Sequence, residues 1–213
     1  MTPSSDLKSL LDDGLAALRL SLKSETIDQL LEYVALLARW NTTYNLTSVR
    51  DPRDMVVRHI LDSLAVAPYL RGANLADVGS GPGLPGIPLA LLFPEREFVL
   101  IDANGKMARF MREAVRALGL SNVRIEQQRV EAVQGSFDCV TARAFASLAD
   151  MLALGGQLLT IDGIWLALKG RYPEDEISAL PAGFELAGSE RLQVPGLDAE
   201  RHLIMVRKTV IAA

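Results

Sequence analysis

The stretch ADVGSGPGLPG, Ala76–Gly86, sets glycine at 79, 81, 83 and 86 and proline at 82 and 85, directly behind a short apolar run. A backbone so bare between "LADVGS" and the helical "LPGIPLALLF" reads as the first strand-to-helix turn of a βαβ unit. Such a turn faces its N–H groups toward a ligand, and side chains there would block the approach.

Two ligand spacings fit. Gly81, Gly83 and Gly86 match G-x-G-x-x-G, the dinucleotide pattern, which is weak by itself. Asp77, Gly79, Gly81 and Gly83 match D-x-G-x-G-x-G, the spacing of S-adenosylmethionine (AdoMet) sites. A pyrophosphate prefers a helix start free of acids. Asp77 would repel it, but suits the ammonium of the methionine part of AdoMet. The residues therefore favour AdoMet over a dinucleotide. Asp102 ends the next strand, "EFVLID". An acid there accepts ribose hydroxyls, or caps the helix that "ANGKMARF" begins.

Outward from this loop the chain alternates. "NVRIEQQ", "FDCVTAR" and "IWLALK" are further strands, and "KMARFMREAVRALGL" and "SLADMLALGGQLL" are helices. The tail adds a short helix in "PEDEISAL" and two strands, "FELAGSERLQV" and "ERHLIMVRK", spaced for an antiparallel pair. Upstream, "DLKSLLDDGLAAL" and "SETIDQLLEYVALLARW" are amphipathic helices, the second with Thr26 and Gln29 as a capping box. Pro52 opens a third helical segment. The expected division is a helical extension, 1–70, ahead of an α/β domain, 71–213.

The composition, 49% hydrophobic and 23% charged over 213 residues, suits a globular chain with a sizeable core. No apolar run reaches the roughly 18 residues of a membrane span, and no secretory leader is expected. One cysteine, Cys139, and two distant histidines argue against disulfides and a metal site, and fit the cytoplasm. A net charge of −4 argues against non-specific binding to nucleic acid, so any such role must rest on local residues.

With AdoMet the methyl group is already activated, and the protein's main task is to hold a nucleophile in line behind it. The turn after the fourth strand, "TARAFAS", lacks the Asn/Asp-Pro-Pro-aromatic run used on exocyclic amines. Cys139 lies mid-strand and reads as core. His59, Asp62 and Ser63 share one helix and form a hydrogen-bond cluster, since a catalytic triad converges from separate elements. No base or covalent nucleophile is evident, so the acceptor atom should already carry a free lone pair. "RWNTTYNLTSVRDPRDMVVRH" mixes arginines and aromatics in the manner of nucleic-acid contacts or of a solvated loop. Lys169 and Arg171 follow the fifth strand, at the edge where ligands bind.

"RWNTTYNLTSVRDP", "VRHILDS", "DVGSGPGLPGIPLA", "RAFAS", "ALKG…PEDE" and "ERHL", in this order from about Leu30 onward, resemble the RsmG (GidB) family of 16S ribosomal RNA guanine-N7 methyltransferases. The resemblance implies a class I AdoMet-dependent methyltransferase fold: Rossmann-like, mostly parallel, with an antiparallel C-terminal strand and an N-terminal helical extension. It implies methyl transfer to N7 of one guanosine in 16S rRNA; the acidic balance then suggests a substrate recognised within a small-subunit ribonucleoprotein particle, and the protein is expected to be a cytoplasmic monomer. It marks Gly79, Leu84, Val130, Glu131 and Arg143 as AdoMet contacts beside Asp77, Gly81, Gly83 and Asp102. Candidates for positioning the substrate are Arg143, Lys169, His59 and Asn45. N7 of neutral guanine bears a lone pair and no proton, in keeping with a site that has no base. An arginine against N7 would oppose the positive charge arriving there, so Arg143 is expected on the AdoMet carboxylate or an RNA phosphate. The competing functions are methylation of a small molecule or protein, and nucleotide sensing without turnover.

Overall fold

The computed structural model describes residues 3–143 and 146–209. Two long helices come first, α1 (Pro3–Ala17) and α2 (Ser24–Tyr44). α2 buries Leu30, Tyr33, Val34 and Leu37 and stops at Asn45, whose left-handed backbone sends its N–H to Asn41 O. The expected capping box is absent: α2 begins at Ser24 behind Lys23, which gives no side-chain cap, so Thr26 lies inside the first turn. Asp51 caps α3 (Pro52–Met55) by accepting from Arg53 N. A π-helical turn, Val56–Leu61, joins it to α4 (Asp62–Leu64). Such turns are rare and re-aim side chains.

The sheet follows: β1 (Asn74–Val78), α5 (Gly86–Leu92), β2 (Glu97–Ile101), α6 (Gly105–Ala117), β3 (Val123–Glu126), β4 (Phe137–Arg143), α7 (Leu148–Gly155), β5 (Leu159–Lys169), α8 (Glu174–Ser178), β6 (Phe184–Arg191) and β7 (His202–Lys208). α6 shows the pattern most plainly. Ala108, Phe110, Met111 and Ala114 are buried, Arg109, Arg112 and Arg116 face out, and Asn104 caps its start. The strand order is β3-β2-β1-β4-β5-β7-β6, with β7 antiparallel to both neighbours and the other pairs parallel. β5 starts earlier than "IWLALK" suggested. Between Phe137 paired with Leu159 and Cys139 paired with Ile164, it bulges out extra residues, among them the exposed Ile161.

Strand order reverses at β1, between β2 and β4, so a crevice opens beyond the carboxyl ends of β1 and β4. Because β7 runs the other way, its beginning meets the end of β5, with Lys169 opposite His202. Segments far apart in sequence therefore reach one edge. Successive strand residues point to opposite faces. Leu75, Leu100 and Leu166 pack with Leu11, Leu30 and Leu61 of the N-terminal helices, and Ala76, Val99 and Trp165 pack on the other side with Met151 of α7. The helical extension and one face of the sheet thus share a single core.

Candidate functional site

The glycine loop is held from within. Gly79, Gly81 and Gly83 have φ of 66°, 57° and 95°, values that favour glycine. Gly79 N and Ser80 N donate to Ile101 O at 2.9 and 3.1 Å, and Gly83 N and Leu84 N donate to Ser80 O at 2.9 Å. Gly81 N donates to Asp102 Oδ2 at 2.8 Å, Gly86 N to Asp77 Oδ2 at 3.1 Å, and Ile87 N to Gly83 O at 2.8 Å. Pro82 and Pro85 have no N–H, so every donor from Gly79 to Ile87 is committed. The expected row of free N–H groups is not there. The loop has no N–H to spare for a pyrophosphate in this geometry, which argues against a dinucleotide. A Cβ at Gly81 would meet no atom within 4 Å among the described residues, which leaves the loop bare for close approach.

Asp77 is only 1% exposed, and its carboxylate accepts from Thr141 Oγ1 at 2.9 Å as well as from Gly86 N. Burial raises its pKa to about 6, against the opposing effect of these hydrogen bonds. It lines neither cavity described below, and where a ligand ammonium was expected opposite it, both its oxygens brace the turn from behind. Asp102 is half-buried at the tip of β2. Its Oδ1 accepts from Asn104 N at 2.8 Å and its Oδ2 from Gly81 N, while Asn104 takes over the capping of α6. Gly79, Ile101, Asp102, Val130 and Glu131 line a cavity of about 290 Å³, closed on another side by Leu154 of α7. An acid at a strand tip beside apolar walls suits an adenosine, with the hydroxyls on Asp102 and the base against Val130.

A second cavity, of about 480 Å³, meets the first at Gly79. Gly81, Leu84, Arg58, His59, Arg143 and Lys169 are among the residues that line it, and Gly83 lies behind, against Ile87. The N-terminal helices build one wall. Asn41, buried at the end of α2, donates to Val49 O at 3.0 Å and accepts from Thr47 N at 2.9 Å, which fixes the 45–50 turn. Asn45 accepts from Arg50 Nη2 at 2.7 Å and does not line the cavity. Tyr33, also from α2, donates its hydroxyl to Pro82 O at 2.9 Å. Burial raises its pKa, so it remains a donor at all ordinary pH.

His59 Nε2 lies 2.9 Å from Thr47 Oγ1. Burial first, then the charge of Arg143, pulls its pKa down to about 4, so the ring is neutral at pH 7. The expected helix-face cluster of His59, Asp62 and Ser63 is not formed. The π-turn sends Asp62 instead to two arginines: Arg143 Nη1 at 3.1 Å and Arg201 Nε at 2.7 Å. Arg143 Nη1 also donates to Arg58 O at 3.1 Å. Lys169 Nζ donates to Ala146 O and Glu176 Oε2, both at 2.8 Å. Ala144 and Phe145 of the "RAFAS" motif lie outside the described residues. Cys139 is buried in β4, its thiol pushed up to about 12 by burial. It offers no nucleophile.

Sequence reasoning missed Arg201 and the partners of Asp62. The signal was present: an antiparallel last strand must start where the parallel strands end, which brings "ERHL" to the crevice.

A family model described as GidB, rRNA small subunit methyltransferase G, matches residues 26–204. A protein of Xanthomonas euvesicatoria pv. vesicatoria named ribosomal RNA small subunit methyltransferase G is 53% identical over 207 residues, covering 94% of this chain and 98% of that protein. One of the same name from Alteromonas mediterranea is 51% identical over 210 residues, 98% and 100% of the two chains. Among solved structures, TrmN from Thermus thermophilus superposes with a TM-score of 0.57 at 24% identity, over 69% of this chain and 47% of that one. A ribosomal protein L11 methylase from Lactobacillus delbrueckii gives 0.55 at 20% identity, over 70% and 77%. Both likenesses are of fold alone.

Proposed function

The chain belongs to the GidB family of small-subunit rRNA methyltransferases, and on that premise we propose that it methylates N7 of one guanosine in 16S rRNA, using S-adenosylmethionine. The observation that carries the cofactor is the glycine loop. It is bare at Gly81, spends all its N–H groups internally, and separates a cavity edged by Asp102 from one edged by arginines. That arrangement suits a ligand with ribose hydroxyls at one end and a carboxylate at the other.

When bound there, the cofactor supplies an activated methyl group. The residues of the chain do the positioning. Asp102 holds the ribose, Val130 and Glu131 flank the adenosine, and Gly79, Gly81 and Leu84 give close approach. Arg143 faces the carboxylate end. The second cavity offers no general base to a proton-bearing acceptor: His59, held well below its usual range, is a weak base already engaged with Thr47. An acceptor with a ready lone pair, such as guanine N7, needs none. Arg58, which the segment after α2 brings to one wall of this cavity beside Arg143, Lys169 and Arg201, favours a polyanionic RNA over a small molecule.

In RNA helices N7 lies in a deep, narrow groove, so the target nucleoside must stand in a loop or be splayed out. An acidic chain gains little from bulk attraction to RNA, and this favours recognition of a folded, protein-bearing particle. The test is transfer of labelled methyl groups to unmodified 16S rRNA, naked and in 30S subunits, followed by borohydride and aniline cleavage. One strand break at one guanosine is expected. Methyl incorporation without that break would remove N7.

A further inference from the structure

Asp62 is fully buried and carries one negative charge between two guanidiniums, whose side chains are only 20% and 25% exposed. One carboxylate cannot neutralise both. A surplus positive charge held mostly out of water is costly unless an anion completes it. A purely structural ion pair would need only one arginine. Both arginines line the second cavity with Arg58 and Lys169, and no acidic side chain is among the described residues that line it. On a chain of net charge −4, this concentration of cations is local.

The two arginines are not equivalent. Arg143 ends β4 on the glycine-loop side, with Nη1 spent on Asp62 and Arg58 O. Arg201 enters from just before β7, on the Lys169 and Gly170 side, and engages Asp62 through Nε and Glu200 O through Nη1. Its Nη2 makes no bond among the described contacts. We infer that Asp62 is a positioning residue that fixes Arg201 as a phosphate-binding arm, gripping a phosphodiester of the RNA beside the target nucleoside, while Arg143 serves the cofactor side. The inference rests on the rRNA reading above. One buried acid thereby sets the spacing between cofactor and RNA backbone.

The test compares R201Q, R201K and D62N with the unaltered protein, measuring kcat and KM for rRNA over a salt series and AdoMet affinity by calorimetry. R201Q should raise the KM for rRNA about tenfold and leave AdoMet affinity within twofold. It should also flatten the slope of log(kcat/KM) against log salt by about 0.7–1, the share of one phosphate contact. R201K should recover part of the KM. D62N, which frees both arginines, should weaken rRNA and AdoMet together. An unchanged KM and salt slope in R201Q would overturn the inference. So would a loss of AdoMet affinity in R201Q as large as the loss for rRNA, since the anion would then be the cofactor's carboxylate. If the unaltered protein binds AdoMet yet methylates neither naked nor assembled rRNA, the functional reading fails, and the phosphate arm with it.

Discussion

Gly81 and Gly86 belong to one loop and are glycine for opposite reasons. A Cβ on Gly86 would stand 1.9 Å from Leu100 Cδ2 and 2.9 Å from Asp77 Oδ2, so the helix could not lie this close to the sheet. Gly86→Ala should cost about 1–3 kcal/mol by overpacking, read as a lower melting temperature. A Cβ on Gly81 would meet nothing, although its φ of 57° disfavours a side chain. Gly81→Ala should cost only about 1–2 kcal/mol of stability but weaken AdoMet more than tenfold. Equal affinity for AdoMet in calorimetry would mean that nothing approaches the loop there. Asp102→Ala should cost about 1.5–3 kcal/mol of AdoMet binding, the worth of hydrogen bonds to a charged group. Unchanged affinity would take Asp102 out of the site.

At the scale of elements, α2 packs in one core with Leu84 and, among the described residues, reaches the cofactor loop by a hydrogen bond from the Tyr33 hydroxyl to Pro82 O. Tyr33→Phe strands that buried carbonyl and should lower stability by about 1–3 kcal/mol. The Gly83 and Leu84 amides, bonded to Ser80 O just beside it, should then exchange with solvent faster. Unaltered exchange at both would show that the helix only covers the loop. The alternation of strands and helices was legible because each strand is a short apolar run and each helix an amphipathic one. What could not be read was where side chains go when an element departs from its ideal form. The π-turn at Val56–Leu61 takes Asp62 away from His59, and no periodicity argument encodes that. The helix of α2 starts at Ser24 as its sequence suggested, but the Thr26 and Gln29 cap does not form, because Thr26 already lies within the first turn.

At the scale of the whole molecule, two buried groups pull stability in opposite directions with pH. His59, lowered from 6.5 to about 4, stays neutral in the folded chain while the unfolded chain takes up a proton, so its contribution is lost as pH falls from about 6.5 to 4. Asp77, raised from 3.8 to about 6, remains protonated in the folded chain while the unfolded chain ionises, so its contribution is lost as pH rises from about 4 to 6. The windows overlap and the two effects offset. Asp77→Asn should therefore make stability fall more steeply on acidification between pH 6.5 and 4 than in the unaltered protein, by up to about 1.4 kcal/mol per pH unit. His59→Gln should tilt the profile the other way. Denaturant titrations at each pH check both, and parallel profiles for all three proteins would refute the pairing. None of this was visible in the sequence, where Asp77 read as a ligand acid and His59 as one of a helical trio. Burial sets the behaviour of Asp77 against the pull of its hydrogen bond from Thr141, and burial aided by the charge of Arg143 sets that of His59.

The core common to the leading helices and one side of the sheet has an evolutionary consequence. A recognition piece built as an independent bead can be lost, duplicated or traded among unrelated catalysts. One whose leucines complete the interior of its neighbour cannot, because every trial exchange begins by unfolding the recipient. An interior shared in this way favours small changes on an inherited surface over exchange of the whole helical piece.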